Sequence, residues 1–313
     1  MQRKREKIST MPNETEWEDT VKKKIRYMTN HVWDGINFTD VENFISNFES
    51  NEQIVGWALL DMLIYYSNEQ EESIITNLMR LLKRDIWLKK GMAKRELSSA
   101  DIKNEFIEIY KSMCFVPVDE SDVSASSFSL TSQFKKSEDV SRQVKYIRLE
   151  EVPLMMALQN KYFVFYDDII GTGNQFKKFW ERRIFGDPKN ISFSISDLVK
   201  KNPDKNFYYL VLGGCQEGMD LIKNDIPNLN VIVSEIFPKS TDVFSEENEY
   251  WELNPDKKDL VLNYVSQKEK ELEIKSAFSK NLPVLFQHSR ASNTALSLYW
   301  STKPNKWKEL YKR

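Results

Sequence analysis

The chain has 313 residues, of which 41% are hydrophobic and 29% are charged. This composition supports a buried core and excludes disordered and collagen-like classes of protein. The net charge of -2 disfavours a nucleic-acid-binding protein with a basic surface throughout, so nucleic acid is expected only through a partner or a local patch.

Targeting and metal-binding signals are sparse. No apolar run approaches the 18 residues of a membrane-spanning helix, and no apolar stretch follows the basic N-terminal residues as in a secretory signal. Two cysteines and two histidines, all far apart in the chain, do not form a zinc motif or a disulfide scaffold. We therefore expect a cytoplasmic protein that does not act at a membrane.

Apolar spacing at i, i+3, i+4 and i+7 predicts helices through the first hundred residues. The four predicted helices are residues 41–48 behind Asp40 as N-cap, Ile54–Tyr66, Ile74–Ile86, and a helix capped by Ser98 or Ser99 that runs to Tyr110. The basic stretch Lys83–Arg95 is interpreted as a solvated helix face. We expect residues 1–104 to form an all-helical N-terminal domain.

The pattern changes to short, almost continuously apolar runs after Tyr110, which is typical of central strands in a parallel sheet. The predicted strands are Met113–Val118, Tyr162–Ile170, Asn206–Gly214, Asn230–Phe237 and Leu282–Gln287, and the helices between them are Asn174–Arg183, Gln216–Asn224 and Leu260–Phe278. Alternating strands and helices predict an α/β domain over residues 105–313, with a mainly parallel open sheet flanked by helices.

The most informative segment is the strand that ends in Asp167 and Asp168 and continues into Gly171-Thr172-Gly173 before a helix. Six of the nine glycines in the chain lie between Gly171 and Gly218, which indicates backbone that bends sharply or approaches a ligand. Free amides at a helix start bind phosphate, and ligands of open α/β sheets bind at the carboxyl ends of strands. The alternative is a strand end whose acidic residues only cap a turn.

This segment resembles the phosphoribosyl-diphosphate signature of type I phosphoribosyltransferases. The resemblance implies that Asp167 and Asp168 contact ribose hydroxyls and organise Mg²⁺ through water. It implies that Gly171, Thr172, Gly173, Asn174 and Gln175 hold the 5′-phosphate. Gly171 stands where the family commonly has Ser, Thr or Ala, and Gln175 where it has Thr or Ser, which weakens the expectation of ordinary salvage catalysis.

The chain also resembles phosphoribosyltransferase-like proteins of bacterial conflict and anti-phage loci, including retron-associated effectors. That resemblance rests on a helical N-terminal region and on the C-terminal segments SRASNTALSLYW and KPNKWKELYKR. It implies a defence effector that acts on nucleotides, together with protein partners in a defence complex. A non-catalytic module that senses nucleotides remains the alternative.

Further candidates follow the other predicted strands. In the Ser-rich segment 119–136, predicted as a loop, Ser126, Ser127 and Lys135 are candidates for diphosphate binding, and a plain surface loop fits equally well. Glu235, His288, Arg290 and Asn293 are candidate ligand contacts at the ends of the last two strands. Their alternatives are a solvated carboxylate, a solvent-facing loop and a helix cap.

Overall fold

The computed structural model describes residues 14–92, 95–118, 126–137, 142–186, 191–273, 281–288, 296–299 and 306–311. The helices are α1 (Glu14–His31), α2 (Phe38–Ile45), α3 (Gln53–Met62), α4 (Asn68–Lys89), α5 (Ser99–Lys111), α6 (Ser126–Lys136), α7 (Val152–Ala157), α8 (Asn174–Glu181), α9 (Ile195–Lys201), α10 (Gln216–Asp225), α11 (Glu249–Leu253) and α12 (Pro255–Glu271). The strands are β1 (Ile64–Tyr66), β2 (Met113–Pro117), β3 (Lys145–Tyr146), β4 (Tyr162–Ile170), β5 (Ile184–Gly186), β6 (Ile191–Phe193), β7 (Asn206–Cys215), β8 (Leu229–Phe237) and β9 (Val284–Phe286).

The chain divides into two compact units. A helical unit combines Met1–Ile64, Tyr250–Lys275 and Ser297–Lys312, and a sheet unit combines Tyr65–Glu249 and Ser276–Leu296. This division does not follow the proposed boundary between residues 104 and 105, because α4 and α5 belong to the sheet unit.

The helical unit has an aromatic core. The ring of Phe44 meets Tyr299 and Trp307 at centroid distances of 6.1 and 5.9 Å. The indole of Trp307 donates to Leu298 O at 2.8 Å, and the hydroxyl of Tyr299 donates to Leu59 O at 2.6 Å. Residues from both ends of the chain therefore build one core.

Local sequence explains two differences from the predicted helix bounds. Helix α2 begins at Phe38 rather than after Asp40, because Asn37 is the N-cap and Asp40 completes a capping box with it. Helix α3 ends at Met62, and Ile64–Tyr66 forms β1 instead of the last turn of a helix. β-Branched and aromatic residues at that point favour extended backbone.

A five-stranded sheet in the order β3-β2-β4-β7-β8 forms the sheet unit. Every neighbouring pair in it is parallel. Strands β4 and β7 are almost entirely buried, as their continuous apolar runs predicted. The predicted parallel α/β fold is therefore confirmed.

Helices cover both faces of this sheet. On one face, Phe165 packs edge-on against Phe179 and Trp180 of α8, and α7, α9 and α10 contribute to the same core. On the other face, Tyr166 meets Phe134 of α6 at 5.0 Å, and Asn77 of α4 donates to Ser234 of β8 at 3.0 Å. Alternation along β4 directs successive side chains to these two layers.

Two predictions about secondary structure were wrong. Residues 126–136 form α6 rather than a loop, because Leu130 and Phe134 lie one turn apart and are fully buried. Strand β9 lies in a separate two-stranded sheet with β1, so it is not a strand of the central sheet. Strands β5 and β6 form an antiparallel pair that the sequence pattern did not indicate.

None of the helices in the described ranges combines the length and the apolar character needed to cross a bilayer.

Candidate functional site

The candidate site lies at the topological switch point of the sheet. Numbered by their order along the chain, the five strands run 2-1-3-4-5, so the connections diverge between β2 and β4. Ligands of such sheets bind at the carboxyl ends of the strands beside this point. Asp167 and Asp168 stand at that end of β4, and each is only 7% exposed.

Asp167 is held by hydrogen bonds on both carboxyl oxygens. Its Oδ1 accepts from the Asp168 amide at 2.9 Å, and its Oδ2 accepts from the Tyr209 hydroxyl at 3.2 Å. Burial, followed by the negative charge of Asp168 and a hydrogen bond between the two carboxyls, raises the pKa of Asp167 well above its ordinary value. Asp167 therefore retains its proton more readily than an exposed aspartate does.

Tyr209 connects this acidic pair to the helix that follows the loop. Its ring stacks on Phe176 of α8 with a centroid distance of 3.8 Å. Burial and the neighbouring Asp167 raise the pKa of the Tyr209 phenol well above its usual range. Tyr209 therefore acts as a neutral hydroxyl donor that fixes the orientation of Asp167.

The loop after β4 turns directly into the N-terminus of α8. Gly173 is the N-cap, with φ of 79°, and α8 has no side-chain cap. Thr172 Oγ1 accepts from the Asn174 amide at 3.4 Å, and the side chains of Asn174 and Gln175 are exposed. An uncapped helix start with a left-handed glycine is a suitable anion site, because its amides lack intrahelical acceptors.

Gly218 of α10 lets a second helix pack directly against this loop. A Cβ atom at Gly218 would overlap Gly171 O, and one at Gly173 would approach Gly218 O to 2.6 Å. Lys177 of α8 and Asp225 of α10 form an ion pair at 2.6 Å beside this contact. The glycine cluster therefore serves a close approach of backbone segments, and Gly218 is a positioning residue that motif comparison alone missed.

Close packing within the sheet also explains the glycine at position 213. It lies within β7, and a Cβ atom there would collide with the ring of Phe237 at the end of β8. Gly213 and Gly214 both pair with β8, so both belong to the sheet.

The diphosphate candidates are placed on α6. Ser126 and Ser127 lie in its first turn, and Lys135 lies in its last turn. The ammonium of Lys135 is 5.0 Å from the ring centroid of Tyr146, which neighbours β2 in the sheet. Lys135 therefore contacts Tyr146 and lies at the end of α6 opposite to the two serines.

The remaining candidates do not share one place. Glu235 is at the carboxyl end of β8, in register with Gly213 and Ile169, so it is two strands away from β4. This separation is about 10 Å across the sheet. His288 follows β9, so it is not at the edge of the central sheet as expected. Arg290 and Asn293 lie outside the described residues.

His288 belongs to a buried polar cluster with Glu71 and Gln133. Its Nδ1 is 2.7 Å from Glu71 Oε2, and its backbone amide donates to Glu71 Oε1 at 3.2 Å. Gln133 Nε2 donates to Glu71 Oε2 at 2.6 Å. The side chains of His288 and Glu71 are 1% and 0% exposed, so Glu71 is a buried carboxylate satisfied by two other elements.

Metal-binding capacity at the site rests on the acidic pair. Within the described ranges, no group of three or more His, Cys, Asp or Glu side chains is arranged to hold a metal ion. Mg²⁺ commonly uses one or two carboxylates together with water and the phosphates of its substrate. The pair Asp167 and Asp168 fits this arrangement, since it places two carboxyls directly before the loop that would hold a phosphate.

Comparison with known proteins gives one informative result, a family match. No curated protein matches the chain. Among solved structures, the AQ2163 protein from Aquifex aeolicus aligns over 64% of this chain and 83% of its own chain, at 12% identity and a TM-score of 0.28. An alignment of this quality does not indicate a shared fold or function. The PRTase-CE family matches residues 41–313, which include both Asp167 and the loop to α8. Because that match covers most of the chain, this protein belongs to the PRTase-CE family and is phosphoribosyltransferase-like.

Proposed function

We propose that this chain binds phosphoribosyl diphosphate or a nucleotide over residues 167–175. The observation that carries the proposal is the arrangement of two buried carboxyls directly before a glycine loop and an uncapped helix N-terminus. The carboxyls supply hydrogen-bonding oxygens for sugar hydroxyls, and the helix start supplies amides for a phosphate. A sugar phosphate uses both features at once.

Each residue has a distinct part in this binding. The amides of Asn174 and Gln175 and the hydroxyl of Thr172 hold the 5′-phosphate, helped by the positive end of α8. Asp168 accepts from the ribose hydroxyls, while Asp167 and Tyr209 keep the Asp168 backbone in place. Asp168 would also hold hydrated Mg²⁺, which supplies charge neutralisation for a bound diphosphate.

The reaction we propose is substitution at the anomeric carbon of the ribose 5-phosphate. The bond from that carbon to its leaving group, a diphosphate or a nucleobase, breaks with its electron pair going to the leaving group. A bond to an acceptor or water then forms. The chain contributes positioning of the phosphate and electrostatic stabilisation of the cation-like sugar, rather than a covalent intermediate.

The biological part of the proposal is a defence effector that acts on nucleotides. Its support is the resemblance of the chain to phosphoribosyltransferase-like proteins of bacterial anti-phage loci, including those that accompany retrons. In that role the protein works inside the cell with partner proteins that control its activity.

A non-catalytic nucleotide sensor is the second candidate. Two observations favour it: Gln175 replaces the hydroxyl residue usual in the family loop, and the raised pKa of Asp167 favours its neutral form. A neutral carboxyl binds sugar hydroxyls, but it stabilises a developing positive charge less well than a carboxylate does.

The experiment that tests the proposal measures binding and turnover together. The purified chain is incubated with phosphoribosyl diphosphate or nucleotides and Mg²⁺, and products are followed by mass spectrometry. The double variant Asp167→Ala/Asp168→Ala should lose turnover, while Asp204→Ala, an exposed acidic residue before β7, should retain it. Binding without turnover supports the sensor, and neither binding nor turnover refutes both candidates.

A further inference from the structure

The outer edge of the central sheet is long, apolar and open. Among the described strands, β8 has a single neighbour, β7, so its other edge has no strand partner. Its nine residues, LNVIVSEIF, contain one charged residue, Glu235. A long apolar edge without lysine or proline in it is a ready template for another strand.

A groove runs along this edge between α4 and α10. It has a volume of about 380 Å³, and its walls include Leu81, Leu88, Met219 and Val231. Leu88 is 57% exposed and Ile236 is 56% exposed, although both are large apolar residues. Such an uncovered apolar strip beside an open strand marks an interaction surface.

The two ends of the groove differ in charge. Lys223 near the end of α10 and Arg84 of α4 line the groove, and neither forms an ion pair with a described residue. Glu235 lies at the opposite end, near the carboxyl end of β8, and it too forms no ion pair in the described ranges. The groove is therefore positive near the start of β8 and negative near its end.

The two exposed apolar residues are also at opposite ends. Leu88 precedes Lys89, whose ammonium bonds to the Asn230 side chain, so Leu88 lies beside the start of β8. Ile236 lies at its end. If β8 of a second copy runs antiparallel to this β8, the start of each strand lies beside the end of the other.

We propose that β8 pairs with β8 of a second copy of this chain, antiparallel about a twofold axis at Val233, to form a continuous ten-stranded sheet. In that register Glu235 stands opposite Val231 of the second copy, on the face where Lys223 lines the groove. Ile236 stands opposite Asn230, beside Leu88 of the second copy. Each charged group thus faces an opposite charge of the second copy, and each exposed apolar residue faces an apolar one, as a twofold interface requires.

The first test measures the mass of the full-length chain in solution by sedimentation equilibrium. The native chain should have twice its monomer mass. Leu88→Asp and Ile236→Asp should each halve that mass, whereas Leu154→Asp should leave it unchanged. Leu154 is the matched control because it is 56% exposed on α7, away from β8.

The second test distinguishes this pairing from any other dimer. Glu235→Lys and Lys223→Glu should each shift the chain toward monomer, and the double variant should restore the dimer. Val233→Cys should cross-link two copies under mild oxidation, since self-opposed residues of antiparallel strands have the Cα separation of a disulfide. A monomeric native chain, or a dimer that survives the Leu88 and Ile236 substitutions, would overturn the proposal.

Discussion

At the residue scale, the buried acidic pair makes stability depend on pH. The pKa of Asp167 is raised by burial and by Asp168, so the native state keeps a proton that the unfolded state releases. Below the ordinary aspartate pKa, Asp167 is protonated in both the native and the unfolded state, so its titration does not lower the free energy of unfolding. As pH rises above that value, the free energy of unfolding falls until the native pKa is reached, by up to about 1.4 kcal/mol per pH unit.

Replacing Asp167 by Asn should remove this loss. The amide retains a carbonyl for the Asp168 amide and carries no titratable proton, so Asp167→Asn should gain stability relative to the native chain as pH rises from 4 toward neutrality. Urea unfolding at several pH values measures the difference. Asp259→Asn, at an exposed site on α12, is the control, and a difference that does not change with pH would contradict the assignment.

The buried cluster around Glu71 predicts strong coupling between residues far apart in sequence. His288→Ala removes the imidazole that contacts the fully buried Glu71 carboxylate, and this should cost about 3–5 kcal/mol of stability. In the background of Glu71→Gln, the same change should cost much less, because no buried charge is left unpaired. Equal costs in the two backgrounds, measured by urea unfolding, would show that the pair is not coupled.

The positions of single residues were predictable only where they are set by local sequence. Asp167, Asp168 and the loop to α8 are contiguous in sequence, so the strand-loop-helix pattern placed them correctly. Glu71, Gln133 and His288 meet through the packing of α4 and α6 and the position of β9. Nothing in the spacing of these three residues along the chain indicates that contact.

At the element scale, the packing of α10 on the loop before α8 depends on one glycine. Gly218→Ala places a Cβ atom against Gly171 O and within 2.9 Å of Gly173 N, so the loop or α10 must move. We expect this variant to lose at least about tenfold in sugar-phosphate affinity while remaining folded, because a shift of about 1 Å at a binding group has effects of this size.

Gly91→Ala serves as its control. Gly91 is distant in sequence from the loop, and a Cβ atom there meets nothing within 4 Å, although its φ of 64° adds some backbone strain. Equilibrium binding and circular dichroism of both variants make the comparison. Unchanged affinity in a folded Gly218→Ala protein would show that α10 does not position the loop.

Elements with uniform patterns were predicted well, and elements set by tertiary contacts were not. Strand β4 has the predicted bounds, because nine apolar or acidic residues follow one another without a turn signal. The serines that open α6 concealed a helix that buries Leu130 and Phe134 one turn apart. Strand β9 has the composition of a central strand, yet it pairs with β1, and composition does not specify a strand's partner.

At the scale of the whole molecule, the helical unit is closed by the C-terminal segment. Trp307 is 2% exposed and meets Phe44 and Phe48, which are more than 250 residues away in sequence. Trp307→Ala should destabilise this unit by about 3–5 kcal/mol. Because the sheet unit has its own core, binding at residues 167–175 should persist.

Hydrogen exchange can separate these effects. The variant should exchange faster in α2, α3 and α12, with little change in β4 and β7. A uniform increase over both units would mean that they unfold together. This division was not predictable from composition, since the helical unit is assembled from three separate stretches of chain.

The most direct test of the central claim is titration calorimetry of phosphoribosyl diphosphate with Mg²⁺ into the full-length chain. The account predicts saturable binding that falls at least about tenfold in Asp168→Asn, an interaction of hydrogen-bond strength, and is unchanged in Asp204→Asn. Absence of binding to the native chain, or equal affinity in all three proteins, would contradict a sugar-phosphate site at the end of β4.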